Sequence, residues 1–141
     1  MAVPPFSHEK LEVYRLALKF ISWVTPVLRE AKQKSVSESA VARDHLDRAS
    51  LSVVYNIAEG NGKYSPGSRK AFFEIALGSA TECAACLDTL VAKDIFAESR
   101  IIDGKTILFR TVQMLTKLIQ LQANSDMVRE PETEYEVDEE N

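Results

Sequence analysis

The chain has 141 residues, of which 45% are hydrophobic and 27% are charged, values that are ordinary for one soluble domain. No apolar run approaches the roughly 18 residues of a membrane span, and the N-terminus lacks the basic and apolar segments of a secretory leader. Cys83 and Cys86 lie three apart in a helical pattern, which favours free thiols over a disulfide. The predicted setting is therefore the cytoplasm, without membrane contact.

Charge is distributed unevenly along the chain. Residues 126–141 hold eight acidic side chains and one arginine, a net charge of −7, whereas the sixteen basic and thirteen acidic residues of 1–125 give +3. The last segment is also poor in apolar residues and is interrupted by Pro131. The sequence therefore predicts a folded domain over 1–125 and a disordered acidic tail over 126–141.

The first predicted helix begins near Ser7–Glu9 and carries two neighbouring apolar stripes. One stripe is Leu11, Tyr14, Leu18, Ile21 and Leu28, and the other is Val13, Ala17, Phe20, Val24 and Val27. A face this wide suits either deep burial within one chain or an additional contact with another subunit. Pro26 lacks an N–H and clashes with the preceding turn, so it predicts a kink or an end near Thr25.

The second predicted helix opens at Ser35, which has capping-box spacing to Glu38, and stops at Gly60. A glycine at this position commonly supplies the left-handed turn that follows a helix. Ser65 and Pro66 then form a helix-start signal, because serine can cap a helix and proline loses nothing at the first helical position. These signals predict a tight helix–loop–helix corner between the second and third helices.

The third predicted helix runs to about Lys93 and has many small residues in its middle, which would let a neighbouring helix approach closely. A short connection leads to a fourth helix that ends near Ala123. Its stripe is Ile101, Leu108, Val112, Leu115, Ile119 and Gln122, widened by Ile102, Phe109, Met114, Leu118 and Leu121. Four long helices with short connections predict an all-α, up-down-up-down antiparallel four-helix bundle.

Four segments, in this order, resemble a bacterial four-helix-bundle family named for reading frames in the intervening sequences of large-subunit ribosomal RNA genes. They are Phe6–Tyr14, Arg48–Ser50, Asn56–Gly60 (Asn-Ile-Ala-Glu-Gly) and Phe72–Glu82. The resemblance covers about residues 6–120 and extends to the accessory variability proteins of diversity-generating retroelements. It implies a bundle that assembles into a homopentameric ring, with a link to nucleic acid or to a nucleic-acid enzyme. The family has no established catalytic residues to carry over.

The Cys83-x-x-Cys86 spacing matches a redox motif, and this is the enzymatic alternative. Redox motifs place the first cysteine at an exposed helix N-terminus, where its pKa falls, whereas these two lie mid-helix among alanines. Small buried side chains are the favoured interpretation.

Other catalytic and cofactor signatures are missing from the sequence. His8 and His45 lack the Glu-x-x-His context of a di-metal bundle and the spacing of a zinc site. Gly60-Asn61-Gly62-Lys63 is too short for a phosphate loop. The sequence therefore predicts no catalytic residue, metal, cofactor or small-molecule substrate.

Four polar residues, Arg48, Asn56, Glu59 and Glu82, lie on or beside otherwise apolar faces of the second and third helices. They predict a structural polar corner, with a partly buried Arg48–Glu82 pair and with Asn56 or Glu59 bonded to the loop. A ligand-binding role for these residues is the alternative.

The basic residues cluster at the two ends of the predicted bundle. Lys63, Arg69 and Lys70 lie at one end with His8 and Lys10; Arg29, Lys32, Lys34, Lys93 and Arg100 lie at the other. In a ring these charges would repeat, and Tyr64 could stack on a base. Candidate nucleic-acid contacts are therefore Lys63, Tyr64, Arg69, Lys70, Lys32 and Lys34, against the alternative of solvated helix ends.

The function that these patterns favour is a non-enzymatic, homo-oligomeric interaction module. Its apolar seams would form the oligomer, and its basic ends would contact nucleic acid or a nucleic-acid enzyme. A thiol protein that uses Cys83 and Cys86 is one alternative, and a purely structural protein–protein assembly module is another.

Overall fold

Four α-helices form an antiparallel bundle in a computed structural model, which describes the backbone of residues 2–140 and the side chains of residues 2–125. A 3₁₀ turn, Ser7–Lys10, precedes the four helices α1 (Glu12–Lys34), α2 (Ala40–Asn61), α3 (Pro66–Ala92) and α4 (Glu98–Glu140). Each helix contacts the next one along the chain, and α4 also contacts α1. No strand occurs in the described backbone. The predicted all-α, up-down-up-down bundle is confirmed.

The core consists of one apolar stripe from each helix. In α1 the buried stripe is Val13, Ala17, Phe20, Val24 and Val27, while the neighbouring stripe is half-buried and its Leu18 is exposed. The remaining helices contribute mainly Leu46, Val53, Ile57, Phe73, Ala80, Leu87, Leu90, Ile101, Leu108 and Leu115. The interior of one chain therefore covers most of the wide α1 face and leaves Leu18 exposed.

Helix α1 does not end at Pro26, so the predicted end near Thr25 is wrong. The helix continues to Lys34, and Val27 and Ala31, both fully buried, lie beyond the proline. Pro26 and Ser22 are both exposed, so water can bond the Ser22 carbonyl that the missing N–H leaves free. Burial of the residues beyond the proline outweighs the cost of one lost hydrogen bond.

Helix α2 begins at Ala40, five residues after the predicted start, and the capping box at Ser35 is not formed. Ser35 instead ends α1, and its N–H donates to the Ala31 carbonyl. The fully buried Ser39 precedes α2, and its hydroxyl lies within hydrogen-bond distance of the Ser35 and Ala31 carbonyls. The Nε of Arg43 donates to the same hydroxyl at 2.7 Å. This interior serine fixes the α1–α2 connection in place of a cap.

Helix α2 passes through Gly60 and ends at Asn61, so the predicted left-handed glycine turn is wrong. Gly62 follows the helix with a φ of −82°, which any residue adopts. Gly60 is needed for space instead, because a Cβ there would lie 2.9 Å from the Cβ of Phe72. The left-handed residue in the described backbone is Asp94, with a φ of 59°, in the turn after α3.

Helix α3 starts as predicted. The Ser65 hydroxyl accepts a hydrogen bond from the Ser68 N–H at 3.1 Å, and Pro66 occupies the first turn.

Helix α4 extends to Glu140, beyond the predicted end near Ala123. The predicted disorder of residues 126–141 concerns a segment whose side chains lie outside the described residues, and that division of the chain stays a prediction.

By length and composition alone, α3 could cross a membrane, which the sequence pattern did not predict. Over one 18-residue window its mean hydropathy is 1.4, and 33% of that window is buried inside the bundle. A core helix of a soluble bundle meets the same criterion, and α3 contributes seven buried residues to this core. Leu77, Ala84 and Val91 also pack against the core, whereas Ile75 is exposed.

Candidate functional site

The corner between α2 and α3 is held by backbone hydrogen bonds on both sides. The Gly62 N–H lies 3.1 Å from the Glu59 carbonyl, and the Lys63 N–H donates to the Gly60 carbonyl at 3.2 Å. The Ser65 cap fixes the start of α3. Only residues 62–65 connect the two helices, so the side chains of this connection project from a firmly held backbone.

At this corner the side chain of Tyr64 makes no contact, whereas those of Lys63 and Arg69 contact other groups of the chain. Tyr64 is 99% exposed, and the fold makes no use of its ring. The Nζ of Lys63 lies 5.0 Å from the centre of the Phe72 ring, a cation–π distance. The Nε of Arg69 donates to the Lys63 carbonyl at 2.8 Å, and Lys70 lies one residue further along the first turns of α3.

The N-terminal 3₁₀ turn lies at the same end of the bundle as the α2–α3 corner. The Asn61 Nδ2 donates to the Ser7 hydroxyl at 3.0 Å, which brings the N-terminal 3₁₀ turn beside the end of α2. Among the described side chains, no carboxylate lies within 4.0 Å of a Lys63, Arg69 or Lys70 nitrogen. We name the set Lys63, Tyr64, Arg69 and Lys70 the basic corner.

At the opposite end of the bundle, Arg100 binds a carboxylate and Lys34 lies over an aromatic ring. The Nε and Nη2 of Arg100 both donate to Glu30 Oε2 at 3.0 Å, and its guanidinium lies 5.7 Å from the Trp23 ring. A Cβ at Gly104 would overlap that ring, so the glycine lets Trp23 lie against α4. Lys34 lies 5.3 Å from the Phe96 ring.

Lys32 borders a groove between α1 and α2 with mixed charge. The groove has a volume of about 430 Å³, and its lining includes Arg29, Lys32 and Arg43 but also Asp44 and Asp47. Carboxylates beside the cations reduce the attraction for a phosphate chain. The two ends of the bundle, which look alike in sequence, therefore differ in structure.

The predicted Arg48–Glu82 ion pair is wrong. Arg48 pairs with Asp44 one turn earlier in α2, with Nη2 3.0 Å from Oδ2, and both side chains are largely exposed. Glu82 instead lies 3.2 Å from the Nδ1 of His45, so an α2–α3 contact does form at Glu82 with a different partner. His45 and Arg48 lie close together on α2, and their spacing in the sequence did not show which of them contacts Glu82.

Asn56 and Glu59 do not bond the loop as predicted. The Asn56 Nδ2 donates to the Ser52 carbonyl at 2.9 Å, and Glu59 is exposed, without a hydrogen bond from its side chain among the described residues. The contact that the sequence reasoning missed is a hydroxyl pair, Ser52 Oγ to Ser79 Oγ at 2.8 Å. The only sequence signal for it was the run of small residues in α3.

The cysteines have the environment predicted for buried thiols. Both are free and buried. Burial, followed by the neighbouring Cys86 and Glu82, raises the pKa of the Cys83 thiol from 9.0 to about 12. Burial and Glu82 also raise the pKa of Cys86. A reactive thiol needs a lowered pKa, so both shifts oppose thiolate chemistry at neutral pH. Among described side chains, no group of three or more metal-ligating residues is gathered in one place.

An apolar groove lies on the surface between α3 and α4. It has a volume of about 550 Å³, and its floor includes the buried Ala80, Ile101 and Leu108. Ile102 and Phe109 border it on α4 and are 53% and 64% exposed. The periodicity of the fourth helix predicts that both residues widen its apolar stripe. The structure places them at the surface instead.

The model of a family described as the 23S rRNA-intervening sequence protein matches residues 9–117 of this chain. That range runs from the 3₁₀ turn into α4, and so includes the basic corner, both cysteines and the α3–α4 groove. No curated protein matches the chain.

Proposed function

We propose, from the premise that the chain belongs to the 23S rRNA-intervening sequence protein family, that it is a non-enzymatic interaction module that assembles into a homo-oligomeric ring in the cytoplasm. The observation that carries the proposal is the apolar surface of α4 along the α3–α4 groove. Ring size comes from the family resemblance, which implies five copies.

The energetics of this surface favour a contact with another protein chain. Burial of a side chain as large as phenylalanine or isoleucine stabilises a complex by about 1.5–3 kcal/mol. Ile102 and Phe109 are separated by seven residues, two helical turns, so they lie on one line along α4. A helix of a second copy that lay in the groove would remove both side chains from water.

A second apolar surface favours a closed ring over a two-fold dimer. Tyr55 on α2 and Ile75 on α3 are also exposed, and neither borders the α3–α4 groove. When two different surfaces of one chain meet, the association is heterologous, and it closes into a ring when the rotation between copies allows. Leu18 on α1 is also exposed and is available to the same assembly.

The non-enzymatic part of the proposal is supported by the cysteine environment. Cys83 and Cys86 are the nucleophiles that the sequence singled out, and both are buried with raised pKa values. Nothing in the pair's surroundings activates a thiolate. The bundle therefore serves better as a surface that holds partners than as a catalyst.

Light scattering tests the assembly directly. We expect a solution mass several times the 15.8 kDa of one chain, and about five times for the ring that the resemblance implies. Phe109→Glu should lower that mass, because a charge would have to be desolvated in the groove. Val36→Glu, which places the same charge at an exposed apolar residue of the α1–α2 connection, is the matched control and should leave the mass unchanged.

A wild-type mass of one chain across the accessible concentration range would contradict the proposal. So would a Phe109→Glu variant that assembles like the wild type. Assembly without any nucleic-acid affinity would leave the ring proposal standing and point to a protein partner.

A further inference from the structure

Tyr64 is a large aromatic side chain that contributes nothing to the fold. With 99% of it exposed, its ring buries no apolar surface within the chain. It stands in a connection of four residues whose two ends are fixed by the last turn of α2 and by the Ser65 cap. Its face is therefore open to stack on a planar group, and the backbone that carries it is fixed at both ends.

The cations around Tyr64 are held near it by contacts that leave their charge unneutralised. Arg69 is bound through its Nε to the Lys63 carbonyl, and Lys63 lies over the Phe72 ring. An aromatic face and a carbonyl position these groups without supplying a negative charge, in contrast to the Glu30 carboxylate at Arg100. Lys70 adds a third positive charge on α3.

We infer that the basic corner binds single-stranded nucleic acid, with a base stacked on Tyr64 and the adjacent phosphates against Lys63, Arg69 and Lys70. Stacking needs a base whose face is free, which a duplex does not offer away from its ends. An acidic peptide would use the three cations but has no need of the exposed ring. The combination of both features favours nucleic acid as the ligand.

This inference goes beyond the proposed assembly and does not depend on it, since one chain holds all four residues. Assembly would repeat the corner around a ring, and linked sites bind a long strand more tightly than a single site. Light scattering on the same samples separates the two proposals. A monomer that binds nucleic acid would refute only the ring, and a ring that does not bind would refute only this inference.

The test is fluorescence anisotropy of a labelled oligouridine of about 20 nucleotides at about 50 mM salt, where phosphate contacts contribute most. We expect binding that weakens as salt rises. Tyr64→Ala should reduce affinity about tenfold, whereas Tyr64→Phe, which keeps the stacking face, should restore it. Val36→Ala removes an exposed apolar side chain from the α1–α2 connection, which takes part in neither proposed contact, and should have no effect.

A pair of double variants tests the phosphate contacts. Lys63→Gln with Lys70→Gln should make the slope of log affinity against log salt shallower by about 1.4, or 0.7 for each lost contact with a single strand. Lys32→Gln with Lys34→Gln makes the same charge change at the opposite end and should leave the slope unchanged. Equal losses in the two double variants would show general charge attraction and overturn the site.

Three other results would overturn the inference. They are absence of oligouridine binding by the wild type at low salt, unchanged affinity in Tyr64→Ala, and binding of an oligoglutamate of the same length as tightly as the oligouridine. Circular dichroism of each variant checks that the helices remain. Tyr64 and the exposed control residues bury little surface, so we expect their substitution to leave the bundle folded.

Discussion

Gly60 and Gly78 both lie inside helices, but only Gly60 lacks space for a side chain. A Cβ at Gly60 would lie 2.9 Å from the Cβ of Phe72, an atom fixed to the α3 backbone that cannot rotate away. Gly60→Ala should therefore lower the free energy of unfolding by about 1–3 kcal/mol, because the two helices must move apart. Urea unfolding measures this change.

Gly78 provides the matched control, since a Cβ there would meet nothing within 4 Å. Gly78→Ala should raise the free energy of unfolding by about 0.5–1 kcal/mol, because alanine loses less conformational freedom in a helix. If both substitutions changed stability in the same direction, the close approach of α2 and α3 at Gly60 would be refuted.

The Cys83 thiol should make the free energy of unfolding depend on pH in the alkaline range. Its thiol has a pKa of about 12 in the folded chain, raised from 9.0 mainly by burial. Above pH 9 the unfolded chain loses this proton first, so the free energy of unfolding falls as pH rises towards about 12. Below pH 9 both states keep the proton, and the thiol adds no pH dependence.

Cys83→Ala isolates this effect from the titration of other groups. The stability advantage of the wild type over the variant should shrink by about 1 kcal/mol between about pH 8 and about pH 10. Denaturant unfolding of both chains at the two pH values measures it. A constant difference, or fast reaction of the native thiol with a thiol reagent at pH 7, would contradict the burial of Cys83 and favour the redox alternative.

At the residue scale, the sequence predicts burial better than pairing. Burial of Cys83 follows from its apolar neighbours along one helix, a local signal. The partner of Glu82 depends on which exposed α2 side chain reaches it, and exposed ion pairs differ by only about 0–1 kcal/mol. His45 and Arg48 both lie on α2, so the periodicity of that helix could not choose between them.

At the element scale, Pro26 tests how far tertiary packing holds a helix together. Pro26→Ala restores a backbone N–H to the middle of α1 and removes the steric clash of the ring with the preceding turn. It should raise the free energy of unfolding by about 1–3 kcal/mol in a urea titration. Pro66→Ala should give no such gain, because proline is favourable in the first turn of α3.

If the two proline substitutions raised the free energy of unfolding equally, Pro26 would not destabilise α1 more than Pro66 destabilises α3. Each variant makes the same proline-to-alanine change within a helix, but Pro66 is buried and Pro26 is exposed, so Pro66→Ala also removes buried surface. The two sites differ in whether the backbone N–H has a partner to lose: the interior of α1 offers the Ser22 carbonyl, whereas a first-turn N–H has none.

The four helices were predictable from periodicity, and their boundaries were not. Apolar spacing reports which face is buried, and this held for Val13, Phe20 and Val27 in α1. Local signals held at the Ser65–Pro66 start of α3 but failed at Pro26, at Ser35 and at Gly60. Helix α1 continues past Pro26 because the residues beyond the proline are buried. Helix α2 does not begin at Ser35, because the interior hydrogen bonds of Ser39 fix the connection before Ala40.

At the scale of the whole molecule, sequence periodicity cannot separate a core-facing stripe from a partner-facing one. Ile102 and Phe109 have the spacing of a buried stripe, yet they lie outside the core of the single chain. Burial against the same chain and burial against a second copy select the same residue types. The composition of the basic corner was predictable, whereas the exposure of Tyr64 and the absence of an ion pair at Lys63, Arg69 and Lys70 among the described side chains required the fold.

The two proposed contacts of this molecule should respond to salt in opposite ways. The α3–α4 groove is apolar, and removal of apolar surface from water is not weakened by screening, so the mass from light scattering should persist as salt rises from about 50 to about 500 mM. Binding of oligouridine at the basic corner releases counterions and should fall by at least about tenfold over that range. A mass that fell in step with nucleic-acid binding would show that charge, not the apolar surface of α4, holds the assembly together. The Lys63→Gln, Lys70→Gln variant distinguishes these outcomes, because it should retain its mass while it loses most of the salt-dependent binding.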